Sequence, residues 1–160
     1  MDVSPTIVVT GMCNTKGVEI RFLAEQVAAH GGRPLIMDLS LGGAVDWADI
    51  PLHDVLAATG TSPEEVLAAP RAAAIGLVGR AGALKILELH AAGRCDGIIS
   101  WAGAIGTTTA TQVMRALPFG VPKVMLTDMA SSDVSLWLGN KDIFIVNPTA
   151  EQGITAVTRR

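Results

Sequence analysis

Two short stretches carry residue types and spacings that could hold an anion. The first is Gly11-Met12-Cys13-Asn14-Thr15-Lys16-Gly17, which sets an ammonium and a hydroxyl between two glycines. The second runs from Asp96 to Thr111 and reads as a short apolar strand, a turn bearing Gly103 and Gly106, and a hydroxyl-rich helix start. Glycine allows a close approach that a side chain would forbid. Thr107, Thr108 or Thr109 could cap the helix that follows, whose free N–H groups and dipole favour a phosphate or carboxylate. An ordinary tight βα turn has the same appearance, so neither loop decides alone. Lys16 stands beside a helix start, where its charge slightly opposes the dipole. A ligand phosphate would explain that placement; an exposed surface lysine is the plainer alternative. Neither stretch is a Walker A loop or a full G-x-G-x-x-G.

Other residues have two readings each. Asp38 closes a strand, where dinucleotide folds often keep a ribose-binding acid. Asp133 could hold a ribose hydroxyl or a metal-bound phosphate, but acids in turns are more often local caps. Cys13 could be a nucleophile, yet no histidine is placed to activate it, and a structural thiol fits better. Trp101 could stack on a base or fill the core. No paired acid and base stands out, which points to binding without independent catalysis.

The elements that must position these residues alternate strand and helix. Thr6–Thr10 reads as a strand, followed by the first loop and a helix to about His30 with Val18, Phe22, Leu23 and Val27 on one face. Pro34–Asp38 is a second strand. Leu39–Ile50 shows no clear period and reads as a loop. Leu52–Ala58 suits a short helix, and Ser62-Pro63-Glu64-Glu65 marks another helix start with a capping box. A long helix follows from about Ala73 to Ala92, with Ile75, Val78, Gly82, Ile86 and Leu89 as its buried stripe. Gly82 in mid-helix costs about 1 kcal/mol relative to Ala unless a neighbour packs closely there. The second anion-binding stretch comes next, with Val113, Met114 and Leu117 continuing its helix. Lys123–Thr127 and Asp142–Val146 complete the strands, separated by a polar turn that leads into Val134 to Asn140.

Aliphatic strands alternating with helices imply an α/β fold: a three-layer, doubly wound parallel sheet, Rossmann- or flavodoxin-like, of about five strands. Right-handed crossovers favour the order 2-1-3-4-5. The first and third strands are then neighbours where the winding reverses, so the loops Gly11–Gly17 and Ala102–Thr108 meet in one crevice.

Composition agrees with one such domain. The chain has 160 residues, 49% hydrophobic but only 4% aromatic, so its core is aliphatic. A net charge of -3 and a pI near 5.5 argue against a nucleic-acid surface. No apolar run nears the roughly 18 residues of a membrane span, and no signal peptide is visible. The two cysteines, Cys13 and Cys95, lie far apart, which suits a reducing cytoplasm. Scattered His30, His53 and His90 make no metal site from protein ligands.

Four ordered motifs support a resemblance. Gly11–Gly17 after a strand resembles the G-T-x-D-T-K-G opening of the tomato mosaic virus resistance protein-like ATP-binding domain family. Gly103-Ala104-Ile105-Gly106-Thr107 is similar to its G-S-G-G-T loop. Gly120–Met125 and Thr127–Asp133 are similar to its G-V-P-K-x-M and S-T-M-A-S-G-D segments. The resemblance implies the N-terminal Rossmann-like domain of a longer protein. It also implies an ATP site, with Mg²⁺ as a possible companion, drawn from Gly11, Asn14, Thr15, Lys16, Gly17, Gly103, Gly106, Thr107, Thr108, Ser131, Ser132 and Asp133. Three positions depart from the pattern. Asn14 stands where it has Asp, removing a charge that could hold Mg²⁺. Ala104 and Ile105 leave less room for phosphate, and Ser132 replaces glycine. The closing Gly153–Arg160 resembles the start of the family's next helix, as expected of one domain of a longer chain or a separately encoded half.

The expectation is a nucleotide-binding domain that serves a larger or partnered protein. The alternative is a non-catalytic assembly domain with a vestigial pocket. Self-association is expected on either reading, because an aliphatic domain separated from its partner leaves apolar surface exposed.

Overall fold

The computed structural model describes residues 4–149, 153–156 and 159. Five parallel strands form one sheet: β1 (Thr6–Gly11), β2 (Arg33–Asp38), β3 (Gly97–Ala102), β4 (Lys123–Thr127) and β5 (Phe144–Val146). Their order is β2-β1-β3-β4-β5, as the alternation of elements predicts. Gly11 lies opposite Asp38, Thr10 opposite Ser100 and Ala102 opposite Thr127, so the loops leaving β1 and β3 rise side by side.

Two layers of helix cover the sheet. On one face Val8, Met37, Ile98 and Met125 pack beneath the long α4 (Arg71–Ala91) and α5 (Ala104–Ala116). On the other, Val9, Ile36, Ile99 and Trp101 meet Ile20, Leu23 and Ala24 of α1 (Gly17–Ala29). Successive strand residues point to opposite faces, which is why two separate aliphatic clusters arise from the same strands. Trp101 is fully buried in the second cluster and fills the core.

Between β2 and α4 the chain leaves the sheet for thirty-odd residues. There it forms α2 (Leu52–Leu56), a tight 3₁₀ turn and α3 (Pro63–Ala68). Ser62 accepts the Glu65 N–H at 3.2 Å while Glu65 accepts the Ser62 N–H at 2.7 Å, a complete capping box. Gly82 is explained by contact: a methyl there would stand 2.7 Å from Val113 and 2.9 Å from Leu39. The missing side chain lets α4 and α5 approach.

Several boundaries differ from the sequence reading, each for a physical reason. α1 buries Ile20, Leu23 and Ala24, and Val18 is 65% exposed. Val18 lies two residues from Ile20, about 200° around the helix, and so faces away. The buried stripe of α4 runs through Ala74, Val78, Ala81, Ile86 and Leu89, with Ile75 only half-buried. β5 starts at Phe144 rather than Asp142, because the Asp142 carboxylate turns back to accept the Gly120 N–H at 2.7 Å and the Lys123 ammonium at 2.8 Å. Within Val134 to Asn140 the chain forms the short α6 (Ser135–Leu138).

The sheet is not covered evenly. α1 packs on β1, β2 and β3. Val124 pairs with Phe144 and Leu126 with Val146. This row shares the face that α1 covers elsewhere, since Leu126 packs against the α1 cluster. Phe144 is 70% and Val146 45% exposed, so the β5 half of this face stays open.

Candidate functional site

A cleft of about 590 Å³ opens at the carboxyl edge of the sheet, between β1 and β3. Its floor is Met12, Thr15 and Lys16 from the first loop together with Gly103, Ala104, Ile105 and Gly106 from the second. Its opposite wall is Leu41, Val66, Leu67 and Ala69 from the segment between β2 and α4, with Arg71 and Ala74 from the first turn of α4. Helices run antiparallel to the strands of such a sheet, so α1, α4 and α5 all point their N-termini toward this edge. Their aligned N–H groups add partial positive charge there.

The first loop is held tightly. Thr15 and Lys16 donate backbone N–H groups to the Met12 carbonyl at 3.0 and 2.9 Å, closing a turn before α1. Lys16 is the N-cap residue of α1 and only 7% exposed, not the free surface lysine of the plainer reading. Its ammonium lies 3.9 Å from Glu19 Oε1, and that same oxygen accepts the Gly153 N–H at 2.7 Å. Asn14 turns away from the cleft: its side-chain amide donates to the Gly42 carbonyl, and its backbone N–H to Ser40 Oγ at 3.2 Å. Gly11 and Gly17 serve packing, since a methyl would stand 2.7 Å from Ile20 at the first and 3.2 Å from Trp47 at the second.

The second loop corrects the sequence reading. The turn is a single residue, Gly103, which is itself the N-cap, and α5 begins at Ala104. The threonines expected as caps lie inside the helix. Thr107, Thr108 and Thr109 each donate their hydroxyl to the carbonyl four residues back, at 2.9, 3.1 and 3.2 Å. Inside a helix this is where a threonine hydroxyl finds its acceptor, so the hydroxyls serve the backbone and not a ligand. Thr107 is fully buried, 2.7 Å from Thr127 Oγ1, and Thr108 accepts the Trp137 indole N–H at 3.1 Å. Gly106 remains at the cleft floor because a methyl there would meet Ala102 Cβ at 2.6 Å.

The cleft thus gathers Thr15, Lys16, Gly103 and Gly106, while Thr107, Thr108, Ser131, Ser132 and Asp133 lie outside its lining. Ser131 and Asp133 are exposed and occupied locally. The Ser131 hydroxyl donates to the Asp128 carbonyl at 3.0 Å, and Asp133 accepts the Ser135 N–H at 2.9 Å. That bond holds the Asp133 carboxyl below its ordinary range.

Asp38 is fully buried beneath the loops. One carboxylate oxygen accepts the backbone N–H groups of Cys13 at 3.2 Å and Ser40 at 2.9 Å, and the Ser40 hydroxyl. This oxygen braces two loops, while Oδ2 is buried without a hydrogen-bond partner among the described residues. Burial pushes the Cys13 thiol well up, and the neighbouring Asp38 charge adds to this. Such a thiol stays protonated and makes a poor nucleophile. Among the described residues no cluster of three or more His, Cys, Asp or Glu side chains could hold a metal ion.

Sequence reasoning missed the wall. Arg71 is exposed at the mouth, and among the described residues it makes no hydrogen bond or ion pair. The signal available was the Pro70-Arg71 opening of the long helix, a cation at a helix start like Lys16.

The model of the uncharacterised protein family UPF0261, N-terminal domain, matches residues 5–160. The chain belongs to the UPF0261 family. A UPF0261 protein of Rhizobium meliloti is 34% identical over 96% of this chain, and one of Clostridium tetani is 30% identical over 88%. The ToMV susceptible protein tm-1(GCR26) of Solanum lycopersicum is a more distant relative, 25% identical over 89% of this chain. The chain spans only 38% and 35% of the two bacterial UPF0261 proteins and 21% of the tomato one. The resemblance read from four motifs therefore holds at the level of the UPF0261 family and its distant tomato relative. Among the described residues no helix is long and apolar enough to cross a membrane.

Proposed function

We propose that this chain is a binding domain for a phosphate-bearing small molecule, held in the cleft between β1 and β3, and without catalysis of its own. The nucleotide reading, ATP with or without Mg²⁺, is the form that the family resemblance implies. One observation carries the proposal: Lys16 and the Gly103–Gly106 helix start, from loops distant in sequence, line one cleft. Lys16 and the start of an α-helix of thirteen residues then border the same space, a combination that favours an anion. Among the described residues the lining holds no carboxylate, imidazole or thiolate to move a proton, which supports binding as the domain's task within a longer protein.

Calorimetry with inorganic phosphate, an alkyl phosphate and ATP tests this. Lys16→Ala should weaken the best of these about tenfold, as expected for a lost charge-assisted bond of ~1.5 kcal/mol. Absence of heat for all three at millimolar concentration would remove the proposal.

A second reading rests on the open β5 half of the sheet, where Phe144 and Val146 are exposed beside Val124 and Leu126. We propose that a second copy of the chain covers this strip. Sedimentation should show self-association that Phe144→Lys abolishes; a clean monomer at high concentration rejects it.

A further inference from the structure

We infer that the ligand is an amphiphilic anion, a single phosphate or carboxylate on an apolar body, rather than a nucleotide with its magnesium. The inference rests on the anion-binding reading above and names the ligand class. The cleft has two unlike sides. The floor supplies charge and N–H groups from Lys16 and the start of α5, while the wall is Leu41, Val66, Leu67, Ala69 and Ala74, with Arg71 as its one charged member. Ile105 continues the apolar surface onto the floor. A ligand filling about 590 Å³ must lay most of its surface against aliphatic side chains.

Most groups that would read a nucleoside are engaged elsewhere. Asp38, at the strand end where a ribose acid would sit, is fully buried; its Oδ1 is bonded to Cys13 and Ser40, and its Oδ2 has no hydrogen-bond partner among the described residues. The Asn14 amide is taken by Gly42, and Asp133 by Ser135. Glu19, the carboxylate closest in sequence to Lys16, is buried, 3.9 Å from the Lys16 ammonium and bonded to the Gly153 N–H. Among the described residues no carboxylate lines the cleft to share a magnesium ion. The charged side chains of that lining are Arg71 at the mouth and Lys16 on the floor, the latter beside Glu19, a balance suited to one anionic head.

The test is a calorimetric series on the wild-type chain: inorganic phosphate, methyl, butyl and hexyl phosphate, hexanoate, AMP, and ATP with and without Mg²⁺. Affinity should rise with alkyl length, up to about fourfold per methylene buried. AMP should bind no tighter than methyl phosphate, and Mg²⁺ should not strengthen ATP. Hexanoate against hexyl phosphate separates the two head groups. Leu67→Asn, at an exposed wall position, should flatten the rise with chain length. Equal affinity across the alkyl series, or ATP strengthened by Mg²⁺ beyond hexyl phosphate, overturns the ligand class and leaves the anion site standing. If no anion binds, the site itself is refuted, and the ligand class with it.

Discussion

Asp38, at the end of β2, accepts the backbone N–H of Cys13, at the start of the cleft loop, across 3.2 Å. The same oxygen holds Ser40, so one buried carboxylate joins the loop after β1 to the segment that builds the cleft wall. Removing it strands three donors beneath the sheet edge. Asp38→Ala should destabilise the domain by about 3 kcal/mol or more, since a single hydrogen bond to a charged group is worth roughly 1.5–3 kcal/mol and three donors share this oxygen. Asp38→Asn, which keeps an acceptor, should cost less. Urea unfolding gives the two losses, and amide exchange at Cys13 should quicken in both variants.

Two glycines of the same helix should respond oppositely to a methyl group. Gly82→Ala places Cβ 2.7 Å from Val113 and 2.9 Å from Leu39, inside a packed core. The overpacking, typically about 1–3 kcal/mol, outweighs a propensity gain of about 1 kcal/mol. Gly76→Ala meets only the end of the Arg80 side chain, at 3.3 Å, which can swing aside. It should stabilise by up to about 1 kcal/mol. Chemical denaturation of the pair reads the difference in sign.

Lys123 is fully buried, and its ammonium donates to the Pro118 and Val121 carbonyls and to Asp142, each at 2.8 Å. The bond from Lys123, then that from the Gly120 N–H, holds the Asp142 carboxyl below its ordinary value of 3.8. A carboxyl lowered by folding contributes stability that is complete above its unfolded pKa and is lost as pH falls through the folded one. Stability from this pair should therefore decline as pH drops below about 4. Asp142→Asn should remove that part of the acid dependence, read from thermal melts at pH 6 and pH 3.

Both thiols should be silent in the folded protein. Burial is the main cause in each case, driving Cys13 well above its usual range and Cys95 up to about 11. A disulfide reagent at pH 8 should label neither cysteine in the native state and both in denaturant. Rapid labelling of Cys13 would show that the cleft loop opens.

The strands were legible because aliphatic runs between glycine and proline leave few alternatives. The 2-1-3-4-5 order followed from alternation and crossover handedness. The capping box at Ser62 and the tight contact at Gly82 were equally readable, since each is a local rule with one geometric outcome. The helix start after β3 was misjudged because threonine serves two purposes: a hydroxyl can cap a first turn or return to the carbonyl four residues back. Where Gly103 already ends the strand, the helix begins at once and takes the second option. Arg71 and the apolar wall were missed for another reason. The wall comes from the segment between β2 and α4, and Arg71 from the helix start beside it; their placement depends on Asp38, Ser40 and the packing of Val66, none of which leaves a periodic trace.

The wall and the floor of the cleft differ in how much change they tolerate. Gly106 on the floor and Gly11 at the end of β1 are locked by Ala102 and Ile20, so almost any replacement disturbs the sheet. Leu67 on the wall is 65% exposed and can be exchanged at little cost to the fold. The domain is in this sense a fixed socket with an interchangeable jaw. Descendants of one ancestral scaffold could diverge in what they grip by drift within the stretch between β2 and α4, while the framework passed unchanged from one to the next.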